Sequence, residues 1–318
     1  MTLRAVVKGV GHYLPERVVP NSEFEARIDT SDEWIRSRTG IERRHIVAEG
    51  QTTTDIAARA ARAALADAGL TVADIDALIV ATSTPDLTFP SVASMVQGEL
   101  GMEQGFAFDV QAVCAGFIFA LTNADGLIRS GQANRVLVIG AETFSRLMDW
   151  EDRTTSVLFG DGAGALVLEG AEGERGILAS DLHSDGRFRD LLYVDGGTST
   201  GTTGHLKMQG REIFRHAVEK LAATAHTSLE KAGLSADDVD WIVPHQANLR
   251  IISATAQRMG LPMEKVVVTV QDHGNTSAAS IPLALSVGKE RGQIKQGDVV
   301  VTEAIGGGLA WGSAVIRW

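Results

Sequence analysis

Residues 68–81 read AGLTVADIDALIVA and residues 232–245 read AGLSADDVDWIVPH: one helix end, turn and strand written twice, 164 residues apart. The same shift carries CAGFIFAL at 114–121 onto AASIPLAL at 278–285, with no gap between the two matches. Helix–loop–strand units look alike in general, but a single offset shared by separated segments favours duplication. Two similar halves related by pseudo-twofold symmetry are therefore expected, one spanning 1–172 and the other 173–318. They join near residues 170–175, where EGAEGERG reads as a connector.

Around these segments, strand-like runs alternate with helical ones. ALIVATS at 77–83, FAFDV at 106–110, RVLVIGAE at 135–142 and GALVLE at 164–169 read as strands. The Ala-rich stretch 54–70 favours helix, and 116–130 is a second helix closed by Gly131. The later half repeats the pattern: a helix over 213–234, the strand DWIVPH, a helix, the strand VVVTV at 266–270, a helix, and the strand DVVVTEAI. Such alternation predicts a layered α/β fold with helices covering sheet faces.

The 318 residues carry a net charge of −11, which argues against nucleic-acid binding, where phosphates demand a strongly positive surface. One cysteine excludes an internal disulfide and suits a reducing compartment. No run approaches the ~20 apolar residues of a membrane span, and the first residues read as a strand and a turn. A cytoplasmic protein with no membrane association is expected.

The duplication sets polar residues against alanine: Cys114 answers Ala278, and His245 answers Ala81. Cys114 follows a strand ending at Val110 and precedes an apolar helix. It reads either as a buried structural thiol or as a nucleophile whose thiolate the helix N-terminus favours. His245 ends a strand, and Asn275 lies in the turn HGNTSAAS. Each is equally an ordinary residue for its position. FGDGAGA at 159–165 enters a strand rather than a helix, unlike a dinucleotide loop. GGG at 306–308 lets backbone N–H groups approach a substrate as an oxyanion hole requires. No GxSxG elbow and no metal-ligand spacing are present.

Taken together, DTSDEWIRSRTGI at 29–41, DVQAVCAGF at 109–117, FGDGAGA, VPHQANLRI at 243–251, HGNTSAAS at 273–280 and EAIGGGLAWGSAVIRW at 303–318 closely resemble the β-ketoacyl-acyl-carrier-protein synthase III family. They extend over nearly the whole chain in the expected order. The resemblance implies a duplicated thiolase-like fold layered α-β-α-β-α. It also implies the condensation that initiates type II fatty acid synthesis: an acyl-CoA primer, acetyl by default, with malonyl-acyl carrier protein, through an acyl-Cys intermediate.

By this resemblance Cys114, His245 and Asn275 form the catalytic triad, and the backbone of Cys114 and Gly307 the oxyanion hole. Thr30, Trp34, Arg38, Arg153 and Asn248 bind CoA, with Trp34 and Arg153 sandwiching adenine. Phe89, Phe159 and Ile305 belong to the acyl pocket; Phe89 enters from the partner of a homodimer, and Ile305 stands where a branch of the family has Phe. Arg215 and Arg250 meet acyl carrier protein. No metal or redox cofactor is implied. Chain-elongating relatives use Cys with two His, and biosynthetic thiolases need a second Cys. Plant-type polyketide synthases share the Cys–His–Asn set, which leaves a polyketide or alkylquinolone-type condensation as the alternative.

Overall fold

A computed structural model describes residues 2–318. Its first sheet has five strands in the order Leu3–Tyr13, Gly162–Glu172, Arg135–Glu142, Ala77–Ala81, Phe106–Val110. The last three run parallel, and the other two contacts are antiparallel. The second sheet orders Gly176–Ser184, Ala310–Arg317, Val299–Gly306 and Trp241–Pro244 with the same pattern of directions. Only its fifth strand is missing. VVVTV does not form the strand expected of it: a single parallel bridge joins Ile242 to Val266, and the chain turns into the short helix Val270–His273.

The repeat is visible down to its caps. Gly69 and Gly233 both end their helices in the left-handed region, at φ 65° and 71°. A capping box then follows in each half, Thr71 with Asp74 and Ser235 with Asp238, before the strand begins. The shift of 164 residues between these pairs is the one that aligned the two sequences.

Residue alternation assigns the layers. Ala77, Ile79 and Ala81 face the central core with Phe117, Leu121, Leu285 and Val300, whereas Leu78 and Val80 face the outer helix Thr53–Ala68. The central layer holds helices Gly116–Arg129 and Ser280–Glu290, buried between the sheets. Outside the second sheet, Gly210–Ala232 and Leu249–Arg258 pack on Val299, Val301 and Val315. The result is a duplicated thiolase-like fold of five layers, α-β-α-β-α. The Ala-rich composition of Thr53–Ala68 has a packing reason: a Cβ on Gly11 would lie 2.2 Å from the Ala64 nitrogen, so helix and strand approach backbone to backbone.

In both halves a tight turn leads into a central-layer helix, after the edge strand Phe106–Val110 in the first and after the short helix Val270–His273 in the second. Each turn packs against the third strand, in the orders given, of the opposite half's sheet: Val113–Ala115 against Val299–Gly306, and Ser277–Ala279 against Arg135–Glu142. This crossing brings chemistry from both halves to one place.

Candidate active site

Cys114 is the middle residue of the turn Val113–Ala115, immediately before helix Gly116–Arg129. A Cβ on Gly306 would sit 2.6 Å from the Cys114 nitrogen, so only glycine lets that strand end press against the turn. Gly307, the next residue, begins the run that leads into the last strand. Cys114 is 4% exposed, and burial pushes its thiol up to about 12. The thiolate expected from the helix N-terminus is therefore not the resting form. Desolvation of the charged sulfur outweighs the nearby dipole.

His245 follows strand Trp241–Pro244, and its N–H donates to the Glu303 carbonyl at 2.8 Å. Its Nδ1 lies 2.6 Å from Ser280 Oγ, which also accepts the Gln246 N–H at 3.3 Å. Where the Ser280 hydroxyl donates to Nδ1, the ring proton sits on Nε2. Burial pulls the imidazole down to about 3, so the ring is neutral.

Asn275 is held by its backbone: its N–H donates to the Leu158 carbonyl at 2.8 Å, and its carbonyl accepts from Gly160 at 3.0 Å. Its Oδ1 accepts the Ser277 N–H at 2.8 Å. The carboxamide NH2 is thereby left as the free end, a donor that does not titrate.

Cys114, His245 and Asn275 line one cavity of about 350 Å³, together with Arg38, Phe159, Asn248, Arg250 and Ile305. Eight of the residues singled out in the sequence thus share one space. Arg211 joins Arg38 and Arg250 on its lining, which suits an anionic ligand. Asn248 also caps helix Leu249–Arg258, accepting the Ile251 N–H at 3.0 Å.

The other expected residues lie outside this lining. Arg153 rests over the Trp34 ring, 5.5 Å from its centroid, and donates to the Asp29 carbonyl at 2.8 Å. A base placed between them requires Arg153 to swing away. Thr30 Oγ1 is buried without a hydrogen-bond partner. Phe89 is 82% exposed. Arg215 is exposed and paired with Glu212 at 2.8 Å, while Arg250 lies over the Phe214 ring.

Four buried polar residues were not singled out in the sequence: Ser280, Ser277, Glu142 and Glu303. The two serines stood inside HGNTSAAS, where they read as helix caps. Glu142 and Glu303 each interrupt an apolar strand run, RVLVIGAE and VVVTEAI, and that interruption was a usable signal.

Comparison with known proteins gives a consistent picture. Residues 108–186 match the family described as 3-oxoacyl-[acyl-carrier-protein (ACP)] synthase III, and residues 229–318 match its C-terminal region. The chain is similar to the β-ketoacyl-[acyl-carrier-protein] synthase III of Cereibacter sphaeroides, 80% identical over 323 aligned positions that span all of both chains. The crystal structure of 3-oxoacyl-[acyl-carrier-protein] synthase III from Aquifex aeolicus VF5 superposes with a TM-score of 0.95 at 46% identity, covering 99% of this chain and 100% of the other. A priming β-ketosynthase from a polyketide biosynthetic pathway superposes at 0.94 with 36% identity, covering 99% and 97%.

Proposed function

Because the chain belongs to the β-ketoacyl-acyl-carrier-protein synthase III family, we propose that Cys114 is its acylated nucleophile, with His245 and Asn275 stabilising the enolate. The protein is an acyltransferase, the condensing enzyme that initiates fatty acid synthesis. The observation that carries the assignment is the convergence of thiol, neutral imidazole and free carboxamide NH2 on one cavity where the two halves meet. We divide the chain accordingly between residues 172 and 173, after the last strand of the first sheet.

In the first half-reaction Cys114 attacks an acyl-CoA thioester and CoA leaves. Backbone N–H groups of Cys114 and Gly307 hold the oxyanion; one such donor is worth about 3–4 kcal/mol in the transition state. In the second, malonyl on acyl carrier protein loses CO2. The electron pair of the broken C–C bond enters the thioester as an enolate, with Nε2–H of His245 and the Asn275 NH2 donating to its oxygen. The enolate carbon attacks the acyl-Cys carbonyl, and Cys114 leaves as 3-oxoacyl-acyl carrier protein forms. These steps call on no metal or redox cofactor.

Arg38, Asn248 and the Trp34–Arg153 pair are assigned to CoA, with Thr30 Oγ1 a polar atom that lacks a hydrogen-bond partner among the described residues. Arg215 and Arg250 are assigned to the acidic carrier protein. Phe159 and Ile305 line the acyl end, and acetyl is the default primer. A homodimer is supported by strand Phe106–Val110, an unpaired sheet edge bearing the half-exposed Phe106, and by the exposed Phe89, which the partner's acyl pocket would take up. The assigned compartment is the cytoplasm; no helix among the described residues is long and apolar enough to cross a membrane.

A second reading, priming of a polyketide, is favoured by the likeness to the polyketide-priming β-ketosynthase. Intact mass spectrometry after incubation with a panel of acyl-CoAs tests both. The expected result is a gain of one acetyl mass, abolished by Cys114→Ser, and acetoacetyl product with malonyl-acyl carrier protein. Preference for a longer primer supports the second reading; labelling that survives Cys114→Ser overturns the nucleophile.

A further inference from the structure

Asn275 can donate to an enolate only if the loop that carries it is fixed, and its fixings lead to a residue outside the cavity. Its N–H donates to the Leu158 carbonyl at 2.8 Å, and its carbonyl accepts the Gly160 N–H at 3.0 Å. Phe159, between those two residues, faces Asn275 across a single parallel bridge. The aim of the carboxamide is therefore set by where residues 157–160 lie.

Those residues are held by Arg44 of the short strand Arg43–Ile46. Its Nη2 donates to the Val157 carbonyl at 2.6 Å, while Nη1 donates to the Val19 carbonyl at 3.1 Å and to Asn21 Oδ1 at 2.8 Å. The stem of the side chain is wedged between two glycines: a Cβ on Gly160 would lie 2.9 Å from the Arg44 Cβ, and one on Gly274 3.1 Å from it. Gly160 is the donor to Asn275, and Gly274 precedes it. The chain around Arg44 is fastened to the same two segments. The Asp161 N–H donates to the His45 carbonyl at 2.8 Å, the Glu42 N–H donates to the Gln271 carbonyl at 2.9 Å, and Arg43 pairs with Asp272 at 3.0 Å.

Arg44 is fully buried, and its guanidinium lies 4.6 Å from the centroid of the Phe24 ring. Its hydrogen-bond partners among the described residues are all neutral oxygens. Burial pulls its pKa down to about 10, so the charge persists at neutral pH. A buried cation held without a carboxylate is a costly way to fill space. What it supplies is a planar fork whose two ends grip separate segments, which neither an apolar side chain nor a lysine can do. We propose that Arg44 is a positioning residue for condensation: by gripping the Val157 carbonyl and filling the space between Gly160 and Gly274, it fixes the loop that aims the Asn275 NH2 at the enolate oxygen. It lies outside the cavity lining and acts through that loop. This deepens the proposed function and rests on Asn275 being an enolate donor.

The test is Arg44→Lys, which keeps the charge and the stem between the glycines and loses the fork. Intact mass spectrometry counts the acyl-enzyme formed from acetyl-CoA, and ketoester formation with malonyl-acyl carrier protein is expressed per acyl-enzyme. Misfolded molecules then drop out of the rate. Condensation per acyl-enzyme is expected to fall about tenfold, with the first-order rate of acylation within about threefold of the parent. In an Asn275→Asp background the same substitution is expected to change condensation by less than about twofold, because the group it positions is gone. An undiminished rate per acyl-enzyme, or a loss that persists undiminished beside Asn275→Asp, overturns the proposal. If Arg44→Lys yields no acyl-enzyme, Phe24→Leu takes its place, removing the ring under the guanidinium and leaving the hydrogen bonds. A loss of about threefold that depends on Asn275 in the same way is then expected, and an unchanged rate overturns the proposal. Asn275→Asp alone condensing at the parent's rate overturns the reading of Asn275 instead, so the two failures are distinguishable.

Discussion

Val113 and Ser277 stand 164 residues apart and share a backbone φ of +49°, the only non-glycine residues with positive φ among those described. The left-handed region costs such residues on the order of 1–3 kcal/mol, a strain kept only where the surroundings enforce it. Each opens the tight turn that leads into a central-layer helix. The first turn uses the bend to present the residue after it, Cys114. The second presents Ser277 itself, with Asn275 just before it and alanine where the thiol would be. One backbone device, duplicated, has thus been divided between a nucleophile and the groups that face it.

In the proposed mechanism the Ser280 hydroxyl donates to Nδ1 of His245 and keeps the ring proton on Nε2. Ser280→Ala removes the donor to Nδ1 and frees the ring to place its hydrogen there, turning Nε2 into an acceptor. Condensation is expected to fall between about tenfold and 100-fold, equivalent to a hydrogen bond of roughly 1.5–3 kcal/mol. Acylation stays within threefold. Nitrogen-15 shifts of the His245 ring read the tautomer directly. An unchanged tautomer with full condensation would remove Ser280 from the site.

Asn275 works through its NH2, because its oxygen is already spent on the Ser277 N–H. Asn275→Asp keeps that acceptor and replaces the donor by an oxygen. Acylation by acetyl-CoA is expected to remain within about threefold, while condensation drops at least 100-fold for want of an enolate donor. Mass spectrometry of the acyl-enzyme and product assay of the same sample separate the two. Equal loss of both steps contradicts the assigned role.

Much of this was legible in the sequence because the duplication keeps a constant offset. A repeat that preserves helix caps at Gly69 and Gly233 and capping boxes at Thr71 and Ser235 can be read by alignment against itself. What escaped was partnership at a distance. Ser277 and Glu142 are 135 positions apart, and nothing local says that a strand-ending glutamate meets a turn serine. The sequence left the ionisation of Cys114 open for a related reason. Position at a helix start is visible in sequence, whereas the burial of Cys114 is a property of packing from both halves.

Ile305 packs with Leu309 and, on the cavity wall, with Ile213, Leu221 and Ile251. Ile305→Phe adds an aromatic ring where a branched aliphatic stands and shrinks the space left for a primer. The expected outcome is a fall of about tenfold or more in kcat/KM for four- and five-carbon acyl-CoAs, with acetyl-CoA changed by less than threefold. Overpacking costs about 1–3 kcal/mol of stability, which a thermal melt reads alongside. An unaltered chain-length profile would show that the primer does not reach this wall.

Glu303 is 1% exposed, and its Oε2 has no hydrogen-bond partner. Burial holds its carboxyl well above the usual 4.5, so the folded chain keeps a proton that the unfolded chain releases. Its stabilising contribution is therefore complete below about pH 4.5 and is lost as pH rises, at about 1.4 kcal/mol per pH unit, until the folded carboxyl itself ionises. His245 and His273, which burial pulls down to about 3, act in the opposite sense: their contribution is complete above about pH 6.5 and is lost as pH falls. Glu303→Gln removes the first dependence and leaves the second. Denaturant unfolding of both proteins from pH 6 to pH 9 is expected to show the parent losing stability relative to the variant as pH rises. How well glutamine fits sets the size of the gap at low pH; a gap that stays constant from pH 6 to pH 9 would mean that Glu303 ionises alike in the folded and unfolded chains and would overturn the prediction.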